Sequence, residues 1–174
     1  MLQNTIKDKI MALEKATENL WHVANMYPEN ALTYKPNPDV WSPLEVLYHL
    51  FLSEKMSRIY AQRFLSKGQN TPRAGIKSQI GMLKLRIGNA LPLKIKAPEP
   101  VAKMPQELHA KTVQEAWKTQ REELKIWLAG LSDEVLLSTC FRHPIAGDIS
   151  LVQMLDFFMI HLKRHEKQFL ARLK

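Results

Sequence analysis

Four stretches of this 174-residue chain repeat apolar residues at three- and four-residue steps, the spacing that lays them along one face of an α-helix. Ile6, Ile10, Leu13, Leu20 and Ala24 form the first stripe, and Pro28 marks its stop. Ser42-Pro43-Leu44-Glu45 has the form of a capping box with proline at the first helical position. It opens a second run through Leu47, Leu50, Phe51, Ile59 and Phe64 that ends near Gly68. Thr112-Val113-Gln114-Glu115 has the same form and precedes Ala116, Trp117, Leu124, Trp127 and Leu128, with Gly130 as the stop. Ser150-Leu151-Val152-Gln153 opens the last run, with Met154, Leu155, Phe158, Leu162 and Phe169, after a turn marked by Pro144 and Gly147. Between Gly68 and Lys111 a weaker period from Ile76 to Ile87 gives way to Pro92, Pro98, Pro100 and Pro105, which reads as a crossover carrying one short helix. No β alternation stands out. The pattern predicts an all-α chain, residues 1–174 as one domain, folded as a four-helix bundle with one long crossover.

Cys140 is the only cysteine, so no internal disulfide forms and stability must come from packing, which a reducing compartment permits. The first residues hold no apolar stretch of signal-peptide length, and no apolar run approaches the ~18 residues of a membrane span. A cytoplasmic protein without a membrane partner is expected. The formal charge of +8 is concentrated between Lys67 and Lys111, where nine Lys/Arg face only Glu99 and Glu107. Such a segment is either a solvated basic crossover or a means of drawing in a small anionic substrate. Nucleic-acid binding is not expected, because the segment has no aromatic residue for base stacking and matches no recognition motif.

Of the six histidines, His161 and His165 stand four apart, so both rings leave one face of the last helix about one turn from each other. Measured from Leu151 at 100° per residue, the apolar stripe centres near zero while His165 falls at about −40° and His161 at about −80°. They border the core, as ligands of a metal open to a cleft would, or as a pair hydrogen-bonded at a bundle edge. His49 lies in the apolar run Leu47-Tyr48-His49-Leu50-Phe51, where a polar ring costs free energy unless it finds a partner, either a carbonyl or a metal. Should the second and fourth helices face each other, three imidazoles could converge and leave coordination positions open. Glu45, one turn before His49, is either a general base or the return arm of the capping box. Gln168, one turn after His165, either bonds a bound water or faces solvent. His143 belongs to the loop before the last helix and is the remaining histidine best placed to approach the site, while His22 and His109 read as structural or surface residues. Trp21 and Trp41 read as packing anchors.

Trp41-Ser42-Pro43-Leu44-Glu45-Val46-Leu47-Tyr48-His49-Leu50 resembles the W-S-x-x-E-x-x-x-H-L opening of helix two in the DinB/YfiT-like superfamily, and His161 to Gln168 resembles its closing H-x-x-x-H-x-x-Q. The resemblance implies a bacterial up-down-down-up bundle that binds one divalent cation, nickel or zinc, through His49, His161 and His165. It also implies a homodimer. Relatives include transferases and isomerases that use small thiols such as bacillithiol or mycothiol, so the activity it implies is a metal-dependent thiol S-transferase with a low-molecular-weight thiol as cosubstrate. A metal-dependent hydrolase and a non-catalytic metal- or ligand-binding protein are the alternatives.

Overall fold

The computed structural model describes residues 1–68, 71–90, 101 and 104–173. The chain is mostly helical, with one small sheet. Its elements are α1 (Leu2–Ala24), α2 (Glu29–Thr33), α3 (Pro43–Leu65), α4 (Ile76–Ala90), α5 (Ala110–Ala129), α6 (Asp133–Leu137), β1 (Thr139–His143), β2 (Gly147–Ser150) and α7 (Leu151–Arg172). Of the crossover's expected features, Pro92, Lys94, Lys96, Pro98, Glu99, Pro100 and Lys103 lie outside the described residues.

The four long helices α1, α3, α5 and α7 each pack against two others: α7 on α3 and α1, and α5 on α3 and α1. Apolar stripes hold them together. Ile6, Ile10 and Leu13 of α1 share one buried cluster with Leu124, Leu128, Leu155 and Phe158. Leu20 and Trp21 join a second with Leu44, Leu47, Trp117, Leu162 and Phe169. Two of the expected capping boxes are present in full. Ser42 Oγ accepts from the Glu45 amide at 3.1 Å while Glu45 Oε2 accepts from the Ser42 amide at 2.7 Å. Ser150 and Gln153 repeat the exchange at the start of α7.

The third expected box is a correction. α5 begins at Ala110, so Thr112 already lies inside the helix and caps nothing. Its first amide is satisfied from elsewhere in the chain, by Glu29 Oε1 of α2 at 2.9 Å from the Ala110 nitrogen. The carboxylate also suits the positive end of the helix dipole.

The loop before the last helix is likewise more ordered than its sequence suggests. Thr139–His143 and Gly147–Ser150 pair antiparallel, with Phe141 opposite Ile149 and His143 opposite Gly147. Alternation was hard to see because the pairing slips between Thr139 and Phe141, which leaves Cys140 and Phe141 both buried. Gly147 closes the turn at φ 70°, the left-handed region where a side chain is strained.

This hairpin sits on α4 at Gly81. A β-carbon placed there would stand 2.0 Å from the Ala146 carbonyl oxygen, a backbone atom that cannot swing aside. Gly81→Ala should therefore push α4 off the hairpin and destabilise the fold by about 1–3 kcal/mol, the usual range for overpacking. Urea unfolding would read this as a lower midpoint, and an unchanged midpoint would show that the two elements separate without cost.

Candidate metal centre

Among the described residues α3 and α7 form the most extensive helix pair, and the three histidines singled out in the sequence meet along it. His49 comes from α3; His161 and His165 come from successive turns of α7. Their rings lie 4.5 Å (His161–His165), 4.8 Å (His49–His165) and 5.0 Å (His49–His161) apart between centroids. One ring nitrogen from each falls within 4.8 Å of the other two.

The hydrogen bonds fix which nitrogens these are. His49 Nδ1 donates to the Val101 carbonyl at 2.8 Å, and His165 Nδ1 donates to Gln168 Oε1 at 2.8 Å. Each ring therefore keeps its proton on Nδ1 and carries a bare lone pair on Nε2, the arrangement that orients a histidine toward a metal. His49 Nε2 and His161 Nε2 are 3.2 Å apart. Two nitrogens bound to one tetrahedral ion at ~2.05 Å would be separated by roughly 3.3 Å, so this pair already has the spacing of two ligands. The donor set fits a borderline cation such as zinc or nickel, and three imidazoles leave a fourth position open.

The surroundings keep the rings uncharged. His49 is only 3% exposed, and burial lowers its pKa despite the Val101 hydrogen bond. Burial pushes His161 well below the ordinary histidine value, and the neighbouring His165 and His49 push it further in the same direction. His165 is lowered to about 4, again chiefly by burial. Neutral imidazoles do not have to shed a proton to bind a cation. Trp41 forms one wall, its ring 4.6 Å from that of His49 and 6.3 Å from that of His165. Phe157 forms another, stacked on His161 at 5.3 Å.

The other candidates take different places. Glu45 is held at both oxygens, by the Ser42 amide and by Lys35 Nζ at 3.0 Å, so it serves the helix cap. His143 is buried in the hairpin, where its Nδ1 accepts from the Ile145 and Ala146 amides at 3.1 Å each. Its ring packs on Phe157 at 4.5 Å, one aromatic layer from His161. His22 lines a separate cleft between α1 and α5, and His109 precedes α5, 3.6 Å from Glu29. Gln168 accepts the His165 Nδ1–H bond at its Oε1, a contact its position did not suggest. Replacing it by leucine should weaken metal binding about 10–100-fold without unfolding the protein, as loss of such supporting hydrogen bonds does. Competition with a chromogenic chelator measures this directly, and unchanged affinity would show that the helix alone orients His165.

Sequence reasoning missed three contributors. Trp41 was legible as an anchor but not as a wall of the site. Phe157 carried a signal, its four-residue spacing from His161. Val101 carried none, since it acts through its main-chain carbonyl.

A family model described as the DinB superfamily matches residues 12–169, and no curated protein and no solved structure matches the chain. Among the described residues no helix is long and apolar enough to cross a membrane. A match over nearly the whole length, joined to a three-histidine cluster that fits a metal-binding protein, identifies this chain as a member of the DinB superfamily.

Proposed function

We propose that this chain is a metal-dependent thiol S-transferase that holds nickel or zinc on His49, His161 and His165 and joins a low-molecular-weight thiol to a small electrophile. The observation that carries this reading is the convergence of three neutral imidazoles, two with their Nδ1–H groups engaged, on one point. A divalent cation there would lower the pKa of a thiol or water brought to it, making a nucleophile available at neutral pH.

The chain's own residues favour the thiol over water. Among the described residues the ligand cluster is made of imidazoles only, and Glu45, the acid nearest to His49 in sequence, is tied into its cap. The protein's own cysteine does not supply the nucleophile, because burial pushes the Cys140 thiol up to about 11. Arg164 lies between the two α7 histidines in sequence and acts electrostatically on both. It donates to the Gly88 carbonyl at the end of α4 at 3.3 Å. Trp41 and Phe157 shield the rings from water.

The same reading takes the chain as one cytoplasmic domain with the up-down-down-up order of its superfamily, acting as a homodimer. Light scattering tests the last point.

Incubating nickel- or zinc-loaded protein with bacillithiol, glutathione or cysteine and monochlorobimane should give a fluorescent adduct faster than the His161→Ala protein does. Equal rates with every thiol would remove the transferase reading, and thiol-independent ester or amide cleavage would favour a hydrolase.

A further inference from the structure

Helix α4 is apolar on two opposite sides. Counting 100° per residue from Ile76, the side that packs on α7 and β2 carries Ser78, Gly81, Met82 and Leu85, all buried and centred near about 190°. Ile76, Ile80, Leu83 and Ile87 lie between about −20° and 40°, facing away from the bundle. They are exposed by 75%, 49%, 56% and 53%. Isoleucine forms helix less well than lysine or glutamate, so the stripe does nothing for the helix itself. Four large aliphatic side chains in a line about 16 Å long are one patch rather than scattered surface residues, and such a patch marks an interaction face.

The stripe is bordered by cations. Lys84 and Lys77 stand at about 80° and 100° on one side and Arg86 at about −80° on the other, all exposed. Among the described residues no carboxylate pairs with any of the three. Between Glu54 and Glu99 the sequence holds ten Lys/Arg and no Asp or Glu, so the segment supplies no acid of its own. A second copy of this face is a poor cover, because pairing α4 with α4 would bring the same cations together unopposed. An anionic partner is called for. The outer face of α4 is a ridge rather than a groove, and a bilayer offers what such a ridge needs: an apolar interior that yields to it and a plane of anionic headgroups on either side.

We propose that α4 docks the folded protein on an anionic lipid bilayer. The helix lies parallel to the membrane, with Ile76, Ile80, Leu83 and Ile87 at the boundary of headgroups and acyl chains and Lys77, Lys84 and Arg86 on lipid phosphates. The basic side chains keep their stems on the apolar surface and their charges among the headgroups. That no described helix is long and apolar enough to cross a membrane has no bearing on a helix that lies on one. The buried side of α4 stays on the bundle, and the inference stands apart from the metal centre.

The test is co-sedimentation of the full-length protein with vesicles of equal parts phosphatidylcholine and phosphatidylglycerol, against vesicles of phosphatidylcholine alone. Binding to the mixed vesicles only is expected, with release at about 1 M salt, where charges are screened beyond roughly 3 Å. Replacing Lys77, Lys84 and Arg86 together by glutamine should weaken it about 100-fold, since each cation near an anionic surface is worth about fivefold. Ile76→Ser combined with Leu83→Ser should weaken it at least about tenfold, because affinity scales with the apolar area inserted. Both side chains are mostly exposed, so an unchanged urea midpoint should show the fold intact; if this variant folds poorly, the glutamine variant decides. No sedimentation with the mixed vesicles would overturn the proposal. So would full binding by the serine variant, which would reduce the contact to charge alone, or full binding by the glutamine variant. A serine variant that halves the mass seen by light scattering would also overturn it, by showing that a second copy covers the stripe.

Discussion

Protein purified without chelator is expected to carry about one divalent ion per chain, and His49→Ala, His161→Ala and His165→Ala are each expected to lose most of it. The geometry makes the loss steep. With His49 and His161 already at ligand spacing and His49 and His165 held by Val101 and Gln168, removing one ring leaves two fixed donors that cannot close around the ion. A fall in affinity of at least ~100-fold per substitution follows, larger than the effect of losing a supporting hydrogen bond. Because the ion binds only the folded chain, metal at about 100 times its dissociation constant should add about 2.7 kcal/mol of stability to the parent and nothing to the variants. Elemental analysis and thermal unfolding report the two effects separately. A triple variant that retains as much nickel or zinc as the parent would place the site elsewhere. Nitrogen ligands accept zinc, nickel and copper alike, so the native ion has to be found by competition.

Metal-free protein should lose stability steeply as the pH falls below about 6.5. His143 and His165 are each lowered from 6.5 to about 4 in the folded protein, chiefly by burial, and His49 and His161 are shifted in the same direction. Between those values the unfolded chain takes up protons that the folded chain refuses, so unfolding is favoured as the pH falls. The stabilisation is complete above about 6.5 and is lost progressively toward 4. A shift of this size corresponds to roughly 3 kcal/mol per group, and even half that for two groups is a large part of the stability of a small domain. Urea titrations from pH 7 to 5 isolate the effect, because most carboxylates stay ionised there. A flat stability across that window would mean that the buried rings accept protons at little cost.

The long helices could be read from the sequence because they are specified locally. The stripes of α1, α3, α5 and α7 and the boxes at Ser42 and Ser150 depend on residues within a few positions of one another. What escaped was specified at a distance. The start of α5 is set by Glu29, 81 positions earlier. The hairpin rests on α4 through Gly81, and its own alternation is broken by the slip near Cys140. The site divides in the same way. His161 and His165 lie at helical spacing and His49 in the apolar run just after a recognisable cap, whereas Trp41 becomes a wall only because α7 brings His165 beneath it. The bond between Gln168 and His165 was not legible because the sequence does not tell whether a side chain turns toward its own helix or away.

The bond from His49 to the main chain at Val101 has a consequence for how this site tolerates change. No side-chain replacement at position 101 deletes the main-chain carbonyl, so a scan of point substitutions would pass over one of the contacts that aim the first ligand. Changing the number of residues is another matter. A length change between α4 and α5 that moved that carbonyl out of reach would free the imidazole to flip or change tautomer. Loop-length variants between α4 and α5, rather than alanines, are therefore the way to test this contact.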